Sequence, residues 1–326
     1  MRIAIIGTGA IGSLLAESLA YRVGEDILCV VASEAHATNI RENGIKIRHL
    51  EKNIKAVDEE KIIGIDAVTD TNKEKPADIV FVAVKAPMTE PAVIQHRALF
   101  GAETIAVSLQ NGYGNAEALE RVVSPESIVI GTTAQAAYID KEGTVIHAGS
   151  GATVVGAAMP DSRRGRKAAD KVAELLTDCG FEVGVTEDAK DAVFRKLFIN
   201  VGINALCAVN GIKNGALLES MELMDASRQL VREAVEAVNA AEGRSYEAAE
   251  IEAAVAATLQ ATAENKCSML QDVERGRTTE IRSINGAIVR MAEGIGTCAP
   301  CNSDIVETIE KLQVEAQQND LKPASI

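Results

Sequence analysis

Tryptophan is absent from this chain, and only four tyrosines and five phenylalanines stand among its 326 residues. Any core it builds must therefore be aliphatic. Histidine is scarce as well: His36, His49, His96 and His147 share no metal-ligand spacing, so no metal site is expected from them. Basic residues are outnumbered, 33 Lys plus Arg against 47 Asp plus Glu, for a net charge of −14. A surface so acidic repels phosphate backbones, which argues against a nucleic-acid partner. No uninterrupted apolar stretch reaches the roughly 18 residues of a membrane-spanning helix, so no membrane partner is expected either. A first strand that starts at residue 2 leaves no room for a signal peptide. With six scattered cysteines read as reduced thiols, these absences point to the cytoplasm. Cys298-Ala299-Pro300-Cys301 has CxxC spacing but no second ligand pair, so neither zinc nor redox chemistry is assigned to it.

What is present starts at the first residues. Arg2-Ile3-Ala4-Ile5-Ile6 reads as a buried strand and runs directly into Gly7-Thr8-Gly9-Ala10-Ile11-Gly12, after which Leu14, Leu15 and Leu19 continue at helical spacing. That is the strand, tight turn and helix N-terminus of a dinucleotide-binding βαβ unit. Gly7 permits the turn, Gly9 lets the backbone approach a pyrophosphate, and Gly12 lets helix and strand pack closely. Free N–H groups at the positive helix end complete an anion site.

Strand signals recur at residues 27–31, 78–84, 104–109 and 127–131, each an apolar run of the kind parallel strands need when both faces are covered. Residues 46–74 are more polar and read as short strands or loops at the sheet edge. Residues 144–147 and 152–156, split by Ala148-Gly149-Ser150-Gly151, read as a hairpin. Residues 163–179 read as a helix, and 181–185 carry the last strand signal. Beyond about Asp188 alanine, glutamate and leucine at helical spacing dominate. A length of 326 residues exceeds one ordinary core. Two domains are therefore expected, residues 1–187 for the dinucleotide and an all-helical 188–326 for substrate and catalysis.

Two further clusters carry chemistry. Lys196, Asn200 and Asn204 stand at i, i+4 and i+8, one polar stripe on a helix whose other residues are apolar nearly all round. An ammonium and two amides on a buried helix need partners. Spacing alone leaves a structural polar network and a ligand site equally open; the stripe's place at the start of the helical domain favours the ligand. In the second cluster Asn265, Ser268 and Asp272 can share a helix face, with Glu280 beyond the Arg275-Gly276 break. By itself that cluster reads as an ordinary charged helix.

Taken together, these clusters make the chain resemble the ketopantoate reductase (2-dehydropantoate 2-reductase) family from Gly7 to about Glu307. The resemblance rests on GTGAIGS at 7–13, Val84-Lys85-Ala86, Gln110-Asn111-Gly112-Tyr113-Gly114, RKLFINVGIN at 195–204 and ENKCSMLQDVERGRTTEI at 264–281. It implies an α/β Rossmann-type domain followed by an all-helical one, as in 6-phosphogluconate-dehydrogenase-like proteins. It also implies reduction of ketopantoate to pantoate with NADP as cofactor, NAD not being excluded. Lys196 matches the proton donor, which suits a carbonyl that gains alkoxide character as hydride arrives; at an ordinary pKa it would rest charged. Glu280 matches a catalytic glutamate near the cofactor. Asn200, Asn204, Asn214 and Ser268 match contacts to the substrate's hydroxyls and carboxylate, and Asn111 matches contacts to substrate and cofactor. Gly7, Thr8, Gly9, Ala10, Ile11, Gly12, Ser33, Lys85 and Ala137 match cofactor positions.

One departure stands out. Where many NADPH-dependent relatives carry an arginine after strand two, this chain has Ser33, followed by Glu34. Ser33 can donate one hydrogen bond, whereas Glu34 would repel a 2′-phosphate or clamp a ribose diol. Two other readings stand beside the first: a reductase of another branched 2-oxoacid, and a dinucleotide-binding regulator without turnover. A homodimer is the assembly considered.

Overall fold

The computed structural model describes residues 1–22, 26–50, 61–141 and 144–320. The chain forms two compact units, residues 1–110 with 115–192 and residues 111–114 with 193–326. The division falls inside a helix rather than in a linker, and the short segment 111–114 packs with the second unit although strands of the first flank it in sequence.

The first unit opens with β1 (Arg2–Ile6), α1 (Ala10–Arg22), β2 (Asp26–Val30) and α2 (Glu34–Asn43). There follow β3 (Ile45–His49), β4 (Lys61–Ile63), β5 (Asp66–Val68), β6 (Ile79–Val82) and α3 (Thr89–Gln95). Then come β7 (Ile105–Ser108), α4 (Asn115–Leu119), β8 (Ile128–Thr133), β9 (Ala136–Lys141) and β10 (Thr144–Gly149). β11 (Thr153–Ala157), α5 (Arg163–Asp178) and β12 (Val183–Val185) complete it. Eight strands make one sheet in the order β12-β11-β8-β7-β6-β1-β2-β5. Its pairings are parallel except β8 with β11. Every residue of β6 is buried, as is all of β1 after Arg2. β1 lies between β2 and β6, so the chain's winding reverses at its C-terminal end, where open α/β sheets bind ligands.

Two expectations are corrected here. β10 and β11 are not a hairpin: β10 pairs with β9 and with β3, whereas β11 joins the large sheet between β8 and β12. The glycine-bearing run between them carries the chain from one sheet to the other. Part of the polar stretch 46–74 also leaves the main sheet. β3 and β4 belong to a separate four-stranded sheet, β4-β3-β10-β9, and only β5 edges the large one. Residues 51–60 of that stretch lie outside the described residues.

The second unit is helical. It contains most of α6 (Ala189–Asn210), then α7 (Met221–Glu242), α8 (Ala248–Ala261), α9 (Ser268–Glu274), α10 (Asn285–Gly294) and α11 (Pro300–Asp320). Leu197, Phe198, Val201 and Ile203 of α6 pack with Val231 and Val235 of α7, Val255 of α8 and Ile288 of α10 in one largely aliphatic core. By length and composition α6 could cross a membrane, but most of it is buried in the protein, as for a core helix. Such a helix has few places for a polar side chain without a reason.

Candidate active site

The glycine loop is built for close approach. Gly7 donates its N–H to the Val30 carbonyl at 2.9 Å, and Ala83 donates to Ile6 at 2.8 Å, so the loop leaves the sheet between β2 and β6. At Gly7 the backbone φ is 96°, and a Cβ there would lie 2.7 Å from the Val84 nitrogen. A Cβ on Gly12 would run into the carbonyl of Gly7. Gly9 faces open space. Beside it the buried hydroxyl of Thr8 has no hydrogen-bond partner among the described residues. An orphaned buried hydroxyl, an unobstructed Gly9 and the unpaired N–H groups that start α1 fit a dinucleotide's pyrophosphate.

At the end of β2, Ser33 caps α2, its Oγ accepting from His36 N–H at 3.3 Å. The hydroxyl proton remains available to another acceptor. Glu34 does not stand alone. Its carboxylate accepts from the Arg41 guanidinium at 2.5 Å and from Thr69 Oγ1 at 3.2 Å. Hydrogen bonding to Arg41, then to Thr69, holds the Glu34 carboxyl below its ordinary range. Arg41 also donates to the Ala67 carbonyl at 2.6 Å. Glu34 and Arg41 stand two helical turns apart on α2, a spacing already present in the sequence. Lys85 ends the segment after β6, where it precedes a 3-10 turn at Ala86–Met88. Ala137 sits in β9 opposite His147 and packs against the core.

In the second unit α6 carries the Lys196, Asn200 and Asn204 stripe on one continuous helix. Lys196 and Asn200 are half-buried and Asn204 is buried. Desolvation pushes the Lys196 pKa down from 10.5 to about 8, while the negative charge of Glu280 pulls it back up. Its resting ionisation is therefore not that of an ordinary lysine: the amine lies near the midpoint of titration at mildly alkaline pH.

Glu280 is buried and precedes a 3-10 turn at Ile281–Ser283. Its Oε2 accepts from the Asn111 amide at 3.1 Å. That contact depends on how segment 111–114 docks. Tyr113 N–H donates to the Ser283 carbonyl at 2.9 Å, and Tyr113 stacks on Phe194 with ring centroids 5.1 Å apart. The Tyr113 hydroxyl donates to Glu242 at 2.5 Å. Gly112 has φ 83°, and a Cβ there would lie 2.8 Å from the Ser283 Cβ. Thus Asn111 and Glu280 are joined, and Glu280 acts on Lys196. Tyr113, which clamps the segment, carries no signal in the sequence beyond its place in the run Gln110-Asn111-Gly112-Tyr113-Gly114.

Asn214 contacts the segment 262–265 that leads into α9, and Ser268 opens that helix. Asn214 is buried; its amide donates to Thr262 Oγ1 at 2.9 Å, and its backbone N–H donates to the Asn265 carbonyl at 3.0 Å. Ser268 is exposed at the first residue of α9. Asn265 therefore does not share a helix face with Ser268 and Asp272. Cys267 ends the loop as the cap of α9, so Asn265 lies before the helix begins. Among the described residues no three His, Cys, Asp or Glu side chains converge on a metal position.

Two glycine substitutions separate folding from binding in the first unit. Gly9→Ala leaves Tm within about 1 °C but weakens dinucleotide affinity, whereas Gly12→Ala destabilises by roughly 1–3 kcal/mol through the forced contact with Gly7. Thermal melts and a fluorescence titration with NADPH check both; equal melting behaviour would contradict the packing described. In the second unit Gly112→Ala is strained at its positive φ and pushes Asn111 off Glu280. It should lower turnover at least about tenfold, the scale of one well-placed hydrogen bond to a charged group.

Against known proteins, the chain matches the family described as ketopantoate reductase PanE/ApbA over residues 3–160, and its C-terminal region over residues 188–313. It is 33% identical to 2-dehydropantoate 2-reductase of Archaeoglobus fulgidus over 315 residues, covering 96% of this chain and 98% of that one. A solved structure of 2-dehydropantoate 2-reductase from Geobacter metallireducens superposes with a TM-score of 0.83 at 26% identity, covering 95% of this chain and 99% of that one. D-mandelate dehydrogenase, solved with NADH and anilino(oxo)acetate, superposes with a TM-score of 0.88 at 25% identity over 97% and 99%. The doubly wound sheet with its glycine loop, the helical second unit and these full-length matches agree: this chain belongs to the ketopantoate reductase family.

Proposed function

We propose that this protein is an NAD(P)H-dependent 2-dehydropantoate 2-reductase of the cytoplasm. It would reduce the ketone of ketopantoate to the alcohol of pantoate. The observation that carries the proposal is the Lys196 amine on the core helix α6, its pKa lowered by desolvation and drawn back up by Glu280, whose carboxylate accepts from Asn111. When bound, the dinucleotide supplies a hydride to the carbonyl carbon. The carbonyl oxygen then takes up negative charge, which the Lys196 ammonium stabilises and protonates. Lowering its pKa toward neutrality brings the donor close to working pH, where general acids are most effective. Asn200, Asn204, Asn214 and Ser268 are proposed to hold the carboxylate and hydroxyl of the oxoacid. The likeness to D-mandelate dehydrogenase favours a second reading, reduction of a different 2-oxoacid. A panel of oxoacids assayed with both cofactors separates the two.

NADP is proposed as the cofactor that family membership favours, with weak discrimination against NAD. The Glu34 carboxylate is neutralised by Arg41, so it repels a 2′-phosphate less than the sequence suggests, while Ser33 offers a single hydroxyl proton. Ser33→Arg should favour NADPH by roughly 1–3 kcal/mol, the range of a charge-assisted hydrogen bond. Dissociation constants for NADPH and NADH on both proteins decide it, and an unchanged ratio would remove Ser33 from the 2′ site.

The acid is tested by pH. A donor must be protonated, so the reduction rate stays level below about pH 8 and falls as pH rises through it. The reverse oxidation needs the neutral amine and rises over the same window. Lys196→Ala should lower kcat by roughly 10²-fold or more and abolish that limb, with little change in cofactor affinity. A near-normal kcat would remove Lys196 from the mechanism.

A further inference from the structure

Two thiols of the second unit have no part in the chemistry just described. Cys207 lies on α6, three residues past Asn204, and Cys267 is the cap of α9, immediately before Ser268. Both are buried, and neither is in a disulfide. The Cys267 Sγ donates to the carbonyl of Asn204 at 3.4 Å and accepts from the Leu270 N–H at 3.4 Å. The Cys207 Sγ donates toward Asn214 Oδ1 at 3.7 Å, and Cys267 lies close enough to raise the Cys207 pKa. A single pair of sulfurs therefore touches the backbone of Asn204, the side chain of Asn214 and the helix start that carries Ser268.

A thiol is an unusual cap. Ser, Thr, Asp and Asn are the usual choices because their oxygens accept more strongly. The larger, polarisable sulfur reaches further, and here it spans from the first turn of α9 to α6. We propose that Cys207 and Cys267 are positioning residues for the oxoacid pocket, a buried thiol relay that fixes Asn204, Asn214 and Ser268 relative to one another. The proposal rests on the reading that those three residues hold the substrate. Asn214 shows what the relay does. Its amide is pinned by Thr262 and its oxygen by Cys207, leaving one N–H and one lone pair with a fixed direction. The neighbouring Cys267 and burial keep the Cys207 thiol protonated, so its one proton stays available to Asn214 across the working pH range.

Steady-state kinetics with ketopantoate and NADPH on Cys207→Ala, Cys267→Ala, Cys267→Ser and Ser268→Ala test this. Each Cys→Ala change should raise the KM for ketopantoate about 5–20-fold, the scale of one lost hydrogen bond, while kcat stays within about threefold. NADPH affinity should not move, and Cys267→Ser should return KM to within about threefold of the parent because a hydroxyl restores the cap. A fall in Tm with KM unmoved in both Cys→Ala variants, while Ser268→Ala raises KM, would overturn the relay and leave the pocket reading standing. An unmoved KM in Ser268→Ala would overturn the pocket reading and the relay with it. Should Cys267→Ala fail to fold, Cys207→Ala, which leaves the α9 cap in place, decides alone.

Discussion

The chemistry proposed for this protein depends on one electrostatic balance: a lysine ammonium on a helix that is apolar nearly all round. Burial disfavours the charged form of Lys196, and the Glu280 carboxylate partly restores it. Neither effect alone gives a useful acid. Full desolvation would leave a neutral amine with no proton to give, and a fully screened lysine would hold its proton too tightly at neutral pH. The rest of the second unit serves that balance. Apolar residues of α6 pack into the core beside the stripe, and segment 111–114 brings Asn111 to the Glu280 carboxylate, with the Tyr113 and Gly112 contacts seating the segment.

The first unit solves a different problem with different material. Its sheet sets an anion-binding loop at the place where the winding reverses, and three glycines divide the work between turn, close packing and open approach. Charge near the second strand is managed locally. Glu34, which would oppose a phosphate, is held by Arg41 and Thr69, so an acidic protein of net charge −14 presents less repulsion there than its composition implies.

Much of this was legible in the sequence, for physical reasons. Strands β1, β6, β7 and β8 show as continuous apolar runs because parallel strands are covered on both faces. The stripe on α6 follows from helical periodicity alone. What stayed hidden depended on contacts remote in sequence. A glycine-bearing run between two strands looks the same whether it turns a hairpin or crosses between sheets. The partner that settles the matter for β10 is β3, whose His49 meets His147 from 98 positions away. Helical spacing in the sequence puts Asn265 on a face with Ser268 because a cysteine cap carries no strong signal for a helix start. The docking of segment 111–114 on the second unit, and with it the Asn111–Glu280 bond, links residues 169 positions apart, beyond any periodicity.

The ionisation of Lys196 is the point on which the account turns, and it can be observed directly. Lysine labelled with 13C at Cε, assigned by comparison with Lys196→Gln, reports each amine's titration by NMR. One resonance is expected to titrate near pH 8 in the parent protein and lower still in Glu280→Gln, where the restoring charge is gone. A Lys196 that titrates near 10.5 and ignores the Glu280 substitution would contradict it.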